Sequence, residues 1–323
     1  MNRIEVPGDK WRSIGDPLIE RATQDLAALL VDAPDQAPDQ VPDQAPDQVP
    51  DQVREPDAAA RQLGADHLPL ATMVSLLAAT QRRRAVQIAD LLGIPDRRAP
   101  FVLGLTGGVA VGKSMAAGAV AVLLREHFGL VTEVVTTDGF LHPNAALEAQ
   151  GLMARKGFPE SYDHAALLAF LGDVQAGRDD LVAPRYDHLA SDVLAEPGPA
   201  LGRLDVLVLE GVNVLQPSPD PGALSVADHL DLSVYVDADE ALMHAWFTAR
   251  LLALRARPAG DAPSYFASTA AFSDEEFVSL SDVVWEQVNV ANLVEHIAPS
   301  RQRADLVLEK GADHRVRRVL LRG

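Results

Sequence analysis

A lysine and a serine, Lys113-Ser114, close the stretch 107-GGVAVGKS-114. The spacing is Gly107, four residues, Gly112, Lys113, Ser114, which is the pattern of a loop that cradles phosphates. The chemistry calls for these residue types. Gly107, Gly108 and Gly112 let successive backbone N–H groups turn inward on an anion, while Val109, Ala110 and Val111 offer main chain. A helix following the loop adds partial positive charge at its N-terminus. Lys113 can reach the β- and γ-phosphates of a nucleoside triphosphate, and the Ser114 hydroxyl is placed to ligate Mg²⁺. Lysine is scarce here: of 28 basic side chains only four are lysines, and one of them stands in this loop.

Two acids extend the pattern. The apolar run LVTEVVTT (130–137) ends in Asp138-Gly139-Phe140, and LDVLVLE (204–210) ends in Glu210-Gly211. In a parallel sheet both carboxylates leave at the carboxyl edge, the edge that also carries the loop. Taken singly, either acid would serve as a turn or helix cap. Taken with the loop, one carboxylate near Mg²⁺ and one near an acceptor hydroxyl is what phosphoryl transfer requires.

These residues need rigid elements to place them. FVLGLT (101–106), 130–137, 204–210 and HLDLSVYV (229–236) read as strands, with DLVLEK (305–310) and RVRRVLLR (315–322) as the last two. Helical spacing marks 113–127, 144–154, 164–176, 239–256 and 273–297. Earlier in the chain, 10–31 and 58–93 also look helical, the latter through Leu70, Met73, Val74, Leu77, Val86, Leu91 and Leu92. Continuous apolar strands alternating with helices predict an α/β fold, a mostly parallel sheet covered by helices on both faces. Between the two early helical stretches lie five copies of Pro-Asp-Gln at a four-residue period, 33–53. Proline at that period blocks a helix, and the segment has almost nothing to bury, so it reads as a disordered acidic spacer.

Composition limits the function. The 323 residues carry a net charge of −18 and no cysteine, and 48% are hydrophobic. Such acidity argues against nucleic-acid and anionic-membrane partners. The absence of cysteine removes disulfide and thiolate chemistry. No apolar run reaches the length of a membrane span, and the N-terminus lacks a secretory core, so a cytoplasmic location is expected.

The blocks around the two acids resemble bacterial type I pantothenate kinase, in the superfamily of phosphoribulokinase and uridine kinase. They are TTDGFLHPN (136–144), GLMARKGFPESYD (151–163), APRYDH (183–188), LEGVNVLQ (209–216), SVYVDA (233–238), SYF (264–266), WEQVNVANL (285–293), PSRQRADLVLEKGADH (299–314) and VLLR (319–322), with a weaker match over 67–93. The resemblance implies a P-loop kinase fold over 58–323, preceded by an N-terminal helical extension (1–32) and the spacer (33–57). It implies ATP-dependent phosphorylation of the primary hydroxyl of pantothenate, the first step towards coenzyme A, with Mg²⁺, as a cytoplasmic homodimer. By the same resemblance Asp138 is the general base, Lys113 bridges the phosphates, Ser114 is the metal-binding hydroxyl, and Arg250 lies by the transferred phosphoryl group; Glu210, the other strand-end acid, is read as the one that serves Mg²⁺. Tyr186, His188, Phe247 and Asn289 line the pantothenate pocket, and His314 lies near the adenine.

The departures from the family pattern cluster. Ser191 and Phe247 replace tyrosines, Leu251 and Leu254 replace phenylalanines, Met115 replaces a threonine, and Gly118 stands where the family has an arginine. These positions serve the pantothenate tail and the feedback inhibitor coenzyme A in the family. An active kinase with weakened coenzyme A inhibition is therefore expected. Two alternatives stay open: a kinase for another small hydroxyl acceptor, and a non-catalytic nucleotide-binding regulatory paralogue.

Overall fold

The structure is a computed structural model that describes residues 3–15, 26, 56–188, 190–218, 222–256, 269 and 271–323. The Pro-Asp-Gln repeat and the 264–266 block lie outside these residues, as does most of the helix expected over 10–31.

Seven strands form one sheet: β1 (Arg3–Pro7), β2 (Phe101–Gly107), β3 (Thr132–Thr136), β6 (Val206–Glu210), β7 (Leu232–Asp237), β8 (Leu306–Lys310) and β9 (Val316–Arg322). Their spatial order is β1-β9-β8-β7-β2-β6-β3. The five strands from β8 to β3 pair in parallel, and β9 pairs antiparallel with β8 and with β1. A two-residue ladder, β4 (Tyr186–Asp187) with β5 (Asp192–Val193), stands apart from it.

Every residue of β2 is buried, and so is every residue of β6. This follows from cover on both faces, which lets a strand be apolar throughout. Side chains alternate between two cores. Phe101, Leu103, Leu105, Val206 and Val208 belong to the larger, and Val102, Leu207 and Leu209 to the smaller. The larger core is closed by α2 (Pro56–Leu92), α3 (Lys113–Phe128) and α6 (Glu240–Arg255). The smaller is closed by α5 (His164–Gln175). No helix among the described residues is long and apolar enough to cross a membrane.

The structure departs from the sequence reading in three places. The expected helix over 144–154 stops early, as α4 (Asn144–Ala149), followed by a 3₁₀ turn at Met153–Arg155. Gly151 takes φ +70°, a left-handed conformation that ends a helix at little cost. The stretch 273–297 splits into α7 (Asp274–Val284) and two π-helical turns, Trp285–Val290 and Leu293–Ile297. The N-terminus contributes an edge strand as well as the short helix α1 (Gly8–Ser13). Five residues with mostly exposed side chains leave little signal of a strand that forms by pairing with a segment three hundred residues later.

Trp11 is the anchor of that N-terminal piece. Its side chain is 2% exposed and its indole N–H donates to the Asp66 carbonyl at 2.9 Å. Arg12 reaches the Val316 carbonyl at 2.6 Å, which ties α1 to α2 and β9 together. Trp11→Ala is expected to cost about 3 kcal/mol of unfolding free energy, from lost burial and the residual cavity. Urea denaturation measures it, and a midpoint equal to wild type would show that α1 is not docked.

Candidate active site

The phosphate loop forms because β2 ends in Gly107 and α3 begins one residue after Gly112. Gly107 (φ +146°) runs so close to β7 that a Cβ there would lie 2.1 Å from the Val236 carbonyl oxygen. Gly112 (φ +87°) precedes the helix in a left-handed conformation and supplies no side-chain cap. The first N–H groups of α3 are thus left for a ligand, and an anion suits them by geometry and by the helix dipole. Lys113 is buried, and its ammonium folds back to donate to the Gly108 carbonyl at 2.8 Å.

The charges that the sequence reading singled out converge on that ammonium. Burial lowers the Lys113 pKa, Glu210 and Asp138 raise it, and Arg250 lowers it again. Glu210 is 7% exposed. Burial raises its pKa, Lys113 opposes this, Asp138 adds to it, and the hydroxyls of Ser114 and Thr136 favour the charged form. The parallel register explains the meeting. Glu210 lies opposite Leu105 on one side and Thr136 on the other, so the ends of β2, β6 and β3 come level. Lys113 and the two carboxylates therefore share one edge of the sheet beside the loop, and Arg250 acts on Lys113 from α6.

Asp138 sits in a 3₁₀ turn, Thr137–Phe140, directly after β3. Its N–H is held by Thr136 Oγ1 at 3.3 Å, and the Tyr162 hydroxyl donates to Asp138 Oδ1 at 3.4 Å. Burial together with the Asp138 charge pushes the Tyr162 pKa well above its ordinary value, so this hydroxyl keeps its proton. A Cβ on Gly139 would fall 2.4 Å from the Pro184 carbonyl oxygen. That close approach brings the β4 ladder against the Asp138 turn. Tyr186 and His188 lie there edge to face, with ring centroids 5.1 Å apart. Burial lifts the Tyr186 pKa to about 12, with a smaller contribution from Asp138.

The remaining expected residues are distributed around this centre. Arg250 is half-buried on α6, and Phe247, three residues earlier, packs on Trp285 at 5.4 Å between ring centroids. Asn289 lies in the first π-helical turn, and its buried side-chain N–H₂ has no hydrogen-bond partner among the described residues. His314 (φ +59°) stacks on Trp246 with centroids 4.1 Å apart. Asp138, Glu210 and Arg250 act on Lys113 through their charges, and Ser114 meets Glu210 through its hydroxyl.

Two residues went unassigned in the sequence reading. Tyr162 orients Asp138, as described. Lys156 donates to Asn144 Oδ1 at 2.8 Å and to the Ser191 carbonyl, and its ammonium lies 5.1 Å from the Tyr186 ring centre. It thus ties the start of α4 to the β4–β5 ladder. Both residues belong to the block 151–163, and the rarity of lysine was the available signal for Lys156.

Among the described residues no group of three or more His, Asp or Glu side chains forms a metal cage. Ser114 and Glu210 instead place one hydroxyl beside one buried carboxylate. This donor set fits Mg²⁺, which takes few protein ligands and fills its octahedron with phosphate oxygens and water.

No protein-family model matches the chain. Curated relatives do. The chain is 45% identical over 261 residues to a protein named pantothenate kinase from Bradyrhizobium sp. (strain BTAi1), covering 79% of this chain and 82% of the relative. It is equally similar, with the same coverage, to the pantothenate kinase of Rhodopseudomonas palustris (strain BisA53). Among solved structures, D-glycerate 3-kinase from Cryptococcus neoformans var. grubii superposes with a TM-score of 0.52 at 14% identity, over 76% of this chain and 97% of that one. At that identity the likeness concerns the fold alone.

The contact between Gly139 and Pro184 is testable. Gly139→Ala is expected to lower stability by about 1–3 kcal/mol through overpacking against backbone. Denaturant unfolding reads it, and an unchanged midpoint would show that the Tyr186 ladder does not rest on the Asp138 turn.

Proposed function

The chain belongs to the pantothenate kinase family, and on that premise we propose that it transfers the γ-phosphoryl group of ATP to the primary hydroxyl of pantothenate. The observation that carries the reading is the convergence of Asp138, Glu210 and Arg250 on the buried Lys113 at the mouth of the phosphate loop.

The residues divide the work as follows. The acceptor hydroxyl oxygen forms a bond to the γ-phosphorus while the bond from that phosphorus to the β–γ bridging oxygen breaks. ADP leaves with the electron pair, and the hydroxyl proton passes to the Asp138 carboxylate. Tyr162 donates to one Asp138 oxygen and so leaves the other for the acceptor. Lys113 exchanges its Gly108 carbonyl for phosphate oxygens, which offset the cost of keeping an ammonium buried. Arg250 sets a fixed guanidinium against the charge on the moving group. Ser114 and Glu210 would hold Mg²⁺, which supplies charge neutralisation across the β- and γ-phosphates when bound. Tyr186, His188 and the unpartnered side-chain nitrogen of Asn289 provide polar groups for the body of pantothenate, and Phe247 an apolar wall. His314, on the Trp246 face, is assigned to the adenine. The same family reading makes the protein a cytoplasmic homodimer.

The assay is ADP release by the purified protein with ATP, Mg²⁺ and pantothenate, beside uridine and buffer controls. Turnover is expected with pantothenate alone. Asp138→Asn should lower kcat by about 10²–10⁴ while ADP affinity changes little. Release that is indifferent to pantothenate, or full activity in the variant, would refute the assignment.

Weakened inhibition by coenzyme A is the second part of the proposal. Gly118 lies on α3, partly exposed, where an arginine would have presented a cation to an anionic inhibitor. Coenzyme A titration against ATP is expected to show weak inhibition, and Gly118→Arg to strengthen it. Tight competitive inhibition of the wild type would contradict this.

A further inference from the structure

Three of the four lysines in this arginine-rich chain, Lys113, Lys156 and Lys310, stand at or beside the site. The function proposed above uses Lys113, and Lys156 ties together the acceptor side. Lys310, the last residue of β8, has no part in either.

Its surroundings are specific. The Lys310 ammonium donates to the Val111 carbonyl at 3.1 Å, inside the phosphate loop. It also lies 2.8 Å from the point a Cβ on Gly112 would occupy. The face of Trp246 is 6.0 Å away, and Trp246 in turn carries His314. No carboxylate among the described residues comes within ion-pair distance, although Asp66 acts on it through space. Burial draws its pKa down to about 8. A half-buried ammonium with one carbonyl and no carboxylate in direct contact is costly to hold, so its retention beside an anion-binding loop calls for a reason.

Peptide geometry supplies the reason. The chain has no cis peptide bond among the described residues, so the carbonyl of Val111 and the N–H of Gly112 point in opposite directions. Holding the Val111 oxygen towards Lys310 turns the Gly112 N–H away from Lys310, to the other side of the loop. On that side the loop presents its N–H groups to phosphates. Gly112 (φ +87°) has no Cβ to restrict this peptide, so a contact is needed to fix its orientation.

We propose that Lys310 is a positioning residue of the phosphate loop: by holding the Val111 carbonyl it aims the Gly112 N–H at the nucleotide phosphates, and its charge complements them from behind. The proposal rests on the reading of 107–114 as the ATP phosphate site. It assigns Lys310 to the phosphates and not to the nucleoside or the acceptor.

Calorimetric binding of ADP and of adenosine separates these roles. Lys310→Met is expected to weaken ADP about tenfold or more, as loss of a charge-assisted contact would. Adenosine affinity and the KM for pantothenate should stay within about twofold. Equal weakening of adenosine and ADP would mean a merely structural role, and unchanged ADP affinity would mean no role; either overturns the proposal. If the methionine variant does not melt cooperatively, Lys310→Gln carries the same comparison with the same expected outcome. Wild-type protein that fails to bind ADP would overturn the phosphate-loop reading itself, a result distinguishable from failure of the Lys310 assignment alone.

Discussion

A buried ammonium is the constraint around which this molecule is arranged. Lys113 lies in the interior, where an isolated charge is unfavourable, and two carboxylates, Glu210 and Asp138, oppose the loss of its proton. Those carboxylates come from two further strands, so they reach Lys113 only if β2, β6 and β3 run parallel and in register. The register in turn needs strands that are apolar on both faces and helices to cover them. The electrostatics of the site thus depend on the two cores of the sheet, and a slip of one residue in β6 would move Glu210 away from the loop.

The same constraint explains the division of the site into a general part and a particular part. On the reading proposed above, loop, lysine and strand-end acids grip and activate a phosphoryl group. The side assigned above to the acceptor is built from less regular structure: a 3₁₀ turn, a two-residue ladder and π-helical turns. These pieces are held by single contacts, such as Gly139 against Pro184 and Lys156 across to Ser191. Irregular backbone of this kind is where substrate preference can change without disturbing the centre, and the departure at Ser191 lies there, beside Tyr186.

Legibility in the sequence followed the same line. The loop, Asp138, Glu210 and the parallel sheet were readable because each is encoded within a few consecutive residues. The alternation of strands and helices from 101 onward was readable from apolar runs and helical spacing. What escaped depends on partners distant in the chain. β1 is a strand only because β9 pairs with it, and α1 docks through Trp11 on Asp66, fifty-five residues away. Tyr162 orients Asp138 across twenty-four residues, and Lys310 meets Val111 across one hundred and ninety-nine. The π-helical turns after Val284 have no local signal in the sequence and no evident physical cause in their neighbours.

The central claim is that the charges gathered on Lys113 present the γ-phosphate of ATP to a hydroxyl beside Asp138. Its most direct test is the structure of the product. Pantothenate incubated with ATP, Mg²⁺ and the protein should yield a phosphate monoester in which phosphorus couples, by NMR, to the carbon of the primary alcohol. Coupling to the secondary carbinol instead, or formation of inorganic phosphate without any ester, would contradict the account.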